Sequence, residues 1–93
     1  MVIGLLVLEI HLPHSTSLKD KRSVLAAFKD RIKKRFNVSL AEVAHQDKWQ
    51  RASLAFITIN SEQQIVDQTL AKILTEAEML SDAEITRSEV RYF

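Results

Sequence analysis

The chain has 93 residues, of which 46% are hydrophobic and 27% charged, with a formal net charge of +1 and no cysteine. A chain of this length supports one domain that buries roughly 60–65% of its unfolded surface. The composition excludes a disordered tail or a fibrous repeat, and the absence of thiols excludes disulfides and thiolate-held metals.

Residues 2–12, "VIGLLVLEIHL", read as a strand rich in Val, Ile and Leu. The segment has no basic region before it and no small-residue cleavage site. Glu9 and His11 interrupt it well short of the ~18 apolar residues a membrane span needs. A cytoplasmic protein without membrane attachment is therefore expected. "PHSTS" breaks the run, and Ser17 with Asp20 three residues later forms a capping-box-like helix start. Leu18, Leu25, Phe28, Ile32 and Phe36 then recur on one helical face.

"FNVSLAEVAH" returns to a strand, "QDK" is a short turn, and "WQRASLAFITIN" is the second strand of a hairpin. Ser61 with Gln64 suggests a second capping box, followed by a stripe of Val66, Leu70, Ile73, Ala77 and Leu80. "DAEITRSEVRYF" closes the chain as a strand whose alternation slips between Ile85 and Val90, the mark of a bulge. The order βαββαβ predicts an α+β, ferredoxin-like sandwich over residues 1–93. Two helices lie on one face of a four-stranded antiparallel sheet, and right-handed crossovers put strand 1 beside strands 3 and 4.

Period-two alternation assigns the two faces of the sheet. Val2, Leu6, Leu8, Ile10, Leu12, Leu54 and Phe56 should face the helices. Ile3, Leu5 and Val7 should lie on the open face beside Ala55, Ile57 and Ile59 of the antiparallel third strand. Six adjacent aliphatic side chains expose on the order of several hundred Å², about what a monomer tolerates, so they are the candidate interface of a homo-oligomer, a dimer in the simplest case. Glu9, His11, Trp49 and Arg51 make the other half of that face polar, with Trp49 expected at the border of the apolar patch.

"SLKDKRSVL", "FNVSLAEV" and "DKWQRA" resemble the YlxP-like family of small bacterial domains. The resemblance spans most of the chain and is most specific across the hairpin. Its recurrent positions here are Ser17, Leu18, Lys19, Lys21, Arg22, Asn37, Ser39, Glu42, Asp47, Trp49, Gln50 and Arg51. It implies a ferredoxin-like fold and a gene setting among translation and ribosome-maturation factors. No catalytic residue comes with it.

The near-neutral total hides an uneven distribution. From Leu18 to Phe36 eight cations face Asp20 and Asp30, a net +6, whereas from Ser61 to Leu80 Lys72 faces four acids, a net −3. At about 100° per residue, Lys19, Arg22, Lys29 and Lys33 fall within roughly 80° of one another, a line suited to a phosphate backbone. Lys48 and Arg51, with Trp49 between them, are expected to approach the start of the first helix and complete an anion site there with Lys19 and Arg22. The competing reading is a solvated charged face, with Asp47 pairing Arg51 inside the hairpin and Asp20 offsetting Lys48.

Lys21 differs from its neighbours because its angle places it on the apolar stripe, where an unpaired ammonium is costly. Glu42, on the inward side of the second strand, is its expected ion-pair partner. Catalytic patterns are weak: His11 and His14 straddle a strand end and need a third metal ligand, for which Glu9 on the face of His11 is conceivable, but polar surface is the favoured reading; Gly4 is the only glycine, so no phosphate loop is available. The reading is of a non-enzymatic binding module without cofactor or metal, associated with RNA or the ribosome, or else of a homo-oligomeric domain using its open sheet face.

Overall fold

A computed structural model describes all of residues 1–93. The elements are β1 (Val2–His11), α1 (Leu18–Arg35), β2 (Ser39–Ala44), β3 (Arg51–Asn60), α2 (Gln63–Glu78) and β4 (Glu84–Tyr92). The strands form one antiparallel sheet in the order β2-β3-β1-β4, the ferredoxin-like arrangement. Both helices cover one face. Leu25, Phe28 and Ile32 of α1 and Val66, Leu70, Ile73 and Ala77 of α2 form one buried cluster with Leu6, Leu8, Ile10, Leu54 and Phe56 of the sheet. Phe28 and Phe56 meet edge to face, their ring centroids 6.2 Å apart.

Local chemistry sets the helix ends. Ser17 caps α1 by accepting a hydrogen bond from the Asp20 backbone N–H at 3.0 Å. The Asp20 carboxylate in turn accepts from the Thr16 backbone N–H at 3.0 Å and the Thr16 hydroxyl at 2.8 Å. Lys33, Lys34 and Arg35 complement the carbonyls of the last turn. The expected Ser61 cap of α2 is not formed. Asn60 takes its place: its side-chain oxygen accepts from the Glu62 backbone N–H at 3.0 Å, a turn made by an Asn side chain that leaves Glu62 at the uncapped helix start.

The sole glycine has a packing reason. A Cβ on Gly4 would stand 2.5 Å from Val66 Cγ1 and 3.0 Å from Leu70 Cδ1, so its absence lets α2 settle onto β1. Val2 is only half-buried, at the strand end where the helix cover thins.

Two bulges shape the open face. Between Glu9 and Ile10 the β1–β4 register skips Thr86, whose hydroxyl donates to the Glu9 carbonyl at 3.2 Å. Between Glu42 and Ala44 the β2–β3 register skips Val43. The residue after β2, His45, then adopts φ 63°, a left-handed conformation uncommon outside glycine, Asn, Asp and His. No helix is long and apolar enough to cross a membrane.

Candidate functional site

The sequence motif residues divide between two jobs, and the first is structural. Lys21 is fully buried, with its Nζ 2.9 Å from Glu42 Oε2. It also donates to the backbone oxygens of His45 at 2.8 Å, Arg51 at 3.2 Å and Gln46 at 3.4 Å. One ammonium thus ties α1 to both arms of the β2–β3 hairpin. Gln50 adds a second tie by donating through Nε2 to the carbonyls of Pro13 and Ser15, at 3.3 and 3.1 Å. The turn closes with the Lys48 N–H donating to the His45 carbonyl at 3.0 Å. Ser17, Lys21, Glu42, Gln50 and the Arg51 carbonyl therefore build one clamp at this end of the sheet.

The second job falls to the side chains this clamp leaves free. Paired rungs Ile3–Ile59, Leu5–Ile57 and Val7–Ala55 line the open face, continued by Glu9–Ser53 and His11–Arg51. Ile57 and Ile59 are 43% and 47% exposed, so the six aliphatic residues do form one patch open to solvent. The two polar rungs separate Trp49 from it. Trp49 therefore does not border the patch: it lies at the hairpin tip beside His11, Lys48, Gln50 and Arg51.

At the polar end, Glu9, His11, His45, Arg51, Thr86 and Arg87 line a cleft of about 530 Å³. Ser53 donates to Glu9 Oε1 at 2.9 Å. His45 Nε2 stands 3.2 Å from Arg51 Nη2 and 3.7 Å from Glu9 Oε2. The imidazole of His45 thus sits between the guanidinium of Arg51 and the carboxylate of Glu9. His11 Nδ1 faces Glu84 Oε2 at 3.4 Å. No group of three or more His, Cys, Asp and Glu side chains is arranged to hold a metal ion.

The expected anion site at the α1 N-terminus loses Arg51, which projects onto the open face toward His45, while Lys48 lines the depression beside Trp49. The helix start already holds its own carboxylate: hydrogen bonds from the Thr16 N–H, then from the Thr16 hydroxyl, hold Asp20 below the usual carboxylate range. Arg51 approaches His45 rather than Asp47, and Asp20 is engaged by Thr16 rather than Lys48.

Helix α1 presents two different flanks. On one, Arg31 and Arg35 both pair with Glu76 of α2, Arg31 at 3.5 Å, while their guanidinium groups lie over Phe28 and Phe36. The opposite flank carries Lys19, Arg22, Lys29 and Lys33, none of which has a carboxylate within 4 Å.

Residues 3–90 match the family described as "Protein of unknown function (DUF503)". The chain belongs to this family. A DUF503-scale relative, the uncharacterized protein YlxP of Bacillus subtilis (strain 168), is 30% identical over 92 residues, which is 99% of this chain and 100% of that protein. The fold is also similar to SnoaB, a cofactor-independent oxygenase from Streptomyces nogalater (TM-score 0.60, 16% identity, 100% of this chain and 92% of that one). It is similar as well to the de novo designed protein Foldit4 (TM-score 0.58, 12% identity, 100% and 97%). At such identities the likeness speaks for the fold alone.

The cleft residues His45, Thr86 and Arg87 were not singled out by sequence reasoning. His45 reaches the open face through a left-handed backbone, and Arg87 is set opposite Glu9 by the skipped Thr86. The slipping alternation of the last strand was the one signal that pointed there.

Proposed function

We propose that this DUF503 chain is a non-catalytic module that binds the backbone of RNA along the free flank of α1. The observation that supports this reading is the contrast between the two flanks: two arginines sharing Glu76 on one side, four cations without a carboxylate partner on the other. From Lys19 to Lys33 the line extends roughly 21 Å at 1.5 Å per residue, enough to follow several successive phosphates. The gene setting implied by the family resemblance makes ribosomal RNA the natural source of such a backbone. Because these contacts would be to phosphates, binding should be tolerant of sequence. Fluorescence anisotropy with a labelled RNA tests this: wild type should bind and the Lys29→Glu/Lys33→Glu double variant should not. Equal binding by both would overturn the reading.

A second reading is favoured by the three apolar rungs of the open face. Adjacent aliphatic rungs open to solvent suit burial against the same face of a second copy, and the face is opposite the helices, so a dimer would present two basic flanks outward. The two readings are compatible.

A further inference from the structure

We propose that the polar end of the open sheet face is a nucleotide-binding site, with the phosphate held by Arg51, Arg87 and His11 and the base laid against Trp49. This site lies on the face away from the helices, so it goes beyond the binding of an RNA backbone along α1 and does not depend on it.

Three observations carry the assignment. First, the cations of the cleft are held loosely. Arg87 has no carboxylate within salt-bridge distance although Glu9 is its register partner. Arg51 Nη2 stands 3.2 Å from His45 Nε2 and the guanidinium pairs with no carboxylate, so an incoming anion can take it without breaking an ion pair. Glu84 approaches only Nδ1 of His11, which leaves Nε2 unengaged.

Second, the one carboxylate lining the cleft is already occupied. Ser53 donates to one Glu9 oxygen, and His45 stands beside the other. Glu9 therefore keeps partners of its own when an anion draws Arg51 away from His45. The charged and titratable groups facing His45 are Glu9 and His11 on β1, Arg51 on β3 and Arg87 on β4, with the Lys21 ammonium on its carbonyl.

Third, the largest aromatic surface of the chain is next to these cations and open. Trp49 is 55% exposed and shares its depression with His11, Lys48 and Arg51. A stacked base would cover it, and stacking on an exposed indole is tolerant of base identity. Phosphate donors and an aromatic wall sharing His11 and Arg51 fit a nucleotide, whether it is a free mononucleotide or the phosphorylated end of a strand.

Trp49 is the only tryptophan, so its fluorescence reports on the site directly. Wild type is titrated with AMP, adenosine and inorganic phosphate. AMP is expected to quench Trp49 and to bind at least about tenfold more tightly than either part alone. Arg87→Ala should weaken AMP binding by about tenfold or more with an unchanged circular dichroism spectrum, since this exposed side chain holds no other group. Lys29→Glu/Lys33→Glu should leave AMP binding intact, which separates this site from the flank of α1. A 5′-phosphorylated tetranucleotide that competes with AMP assigns the site to strand ends, and one that does not assigns it to free nucleotides. Absence of quenching at millimolar AMP would overturn the proposal. So would AMP binding that Arg87→Ala leaves untouched.

Discussion

The ammonium nitrogen of Lys21 lies 2.8 Å from the carbonyl oxygen of His45, as close as to its ionic partner Glu42 at 2.9 Å. A buried lysine is thus satisfied mainly by backbone, and that backbone is the one that places His45, Gln46 and Arg51. The two partners are therefore not equivalent. Lys21→Met would take the ammonium donor from three carbonyls and a carboxylate, the His45 carbonyl keeping only the Lys48 N–H, and should cost about 3–5 kcal/mol. Glu42→Gln keeps an acceptor beside Lys21 and leaves the carbonyls in place, so it should cost only about 1–2 kcal/mol. Urea unfolding of both variants checks this, and equal losses would contradict the backbone cage.

Gly4 makes a prediction of the opposite kind, through added volume. Its Cβ would collide with Val66 Cγ1 and Leu70 Cδ1, both in the buried layer between β1 and α2. Gly4→Ala should destabilise by about 1–3 kcal/mol despite the better strand propensity of alanine. Val66→Ala in the same chain should recover part of that loss, measured as a double-mutant cycle.

The pH response of the α1 start follows from Asp20. Its folded-state acidity is strengthened first by the Thr16 N–H and then by the Thr16 hydroxyl, so its pKa is depressed relative to the unfolded chain. A depressed carboxyl contributes stability above its unfolded pKa of 3.8, and that contribution disappears as pH falls through the folded value. Wild type should therefore lose a stability increment on acidification from pH 5 to pH 2 that Asp20→Asn lacks. Parallel acid titrations of the two proteins would refute this.

Much of this arrangement was legible in the sequence, because it depends on regular periods. Alternation separates Leu6, Leu8 and Ile10 from Ile3, Leu5 and Val7, and the helical angle of Lys21 points to Glu42. What was not legible depends on single backbone irregularities. A skipped Val43 and a left-handed His45 turn an imidazole onto the open face, and a skipped Thr86 sets Arg87 opposite Glu9. One such residue changes every face assignment beyond it. Arg51 is a different case: its parity already placed it on the open face, and closeness to α1 along the hairpin did not override that parity.

Self-association through the open face gives a further prediction. Rungs Ile3–Ile59, Leu5–Ile57 and Val7–Ala55 would bury apolar surface at roughly 25 cal/mol per Å², before the costs of association. Wild type should sediment as a dimer at micromolar concentration, and Leu5→Glu or Ile57→Glu as a monomer with an unchanged fold. A wild type that remains monomeric at high micromolar concentration would contradict the dimer.

The central claim is that Lys19, Arg22, Lys29 and Lys33 contact RNA phosphates, and its most direct test is the salt dependence of binding. For four phosphate contacts to a single strand, log K should fall with log[salt] at a slope of roughly −3. Each of the four substituted singly by Ala should reduce that slope by about 0.7, whichever RNA sequence is used. Arg31→Ala, on the flank held by Glu76, should leave it unchanged. A slope near zero for wild type, or one that the four substitutions do not alter, would contradict the account.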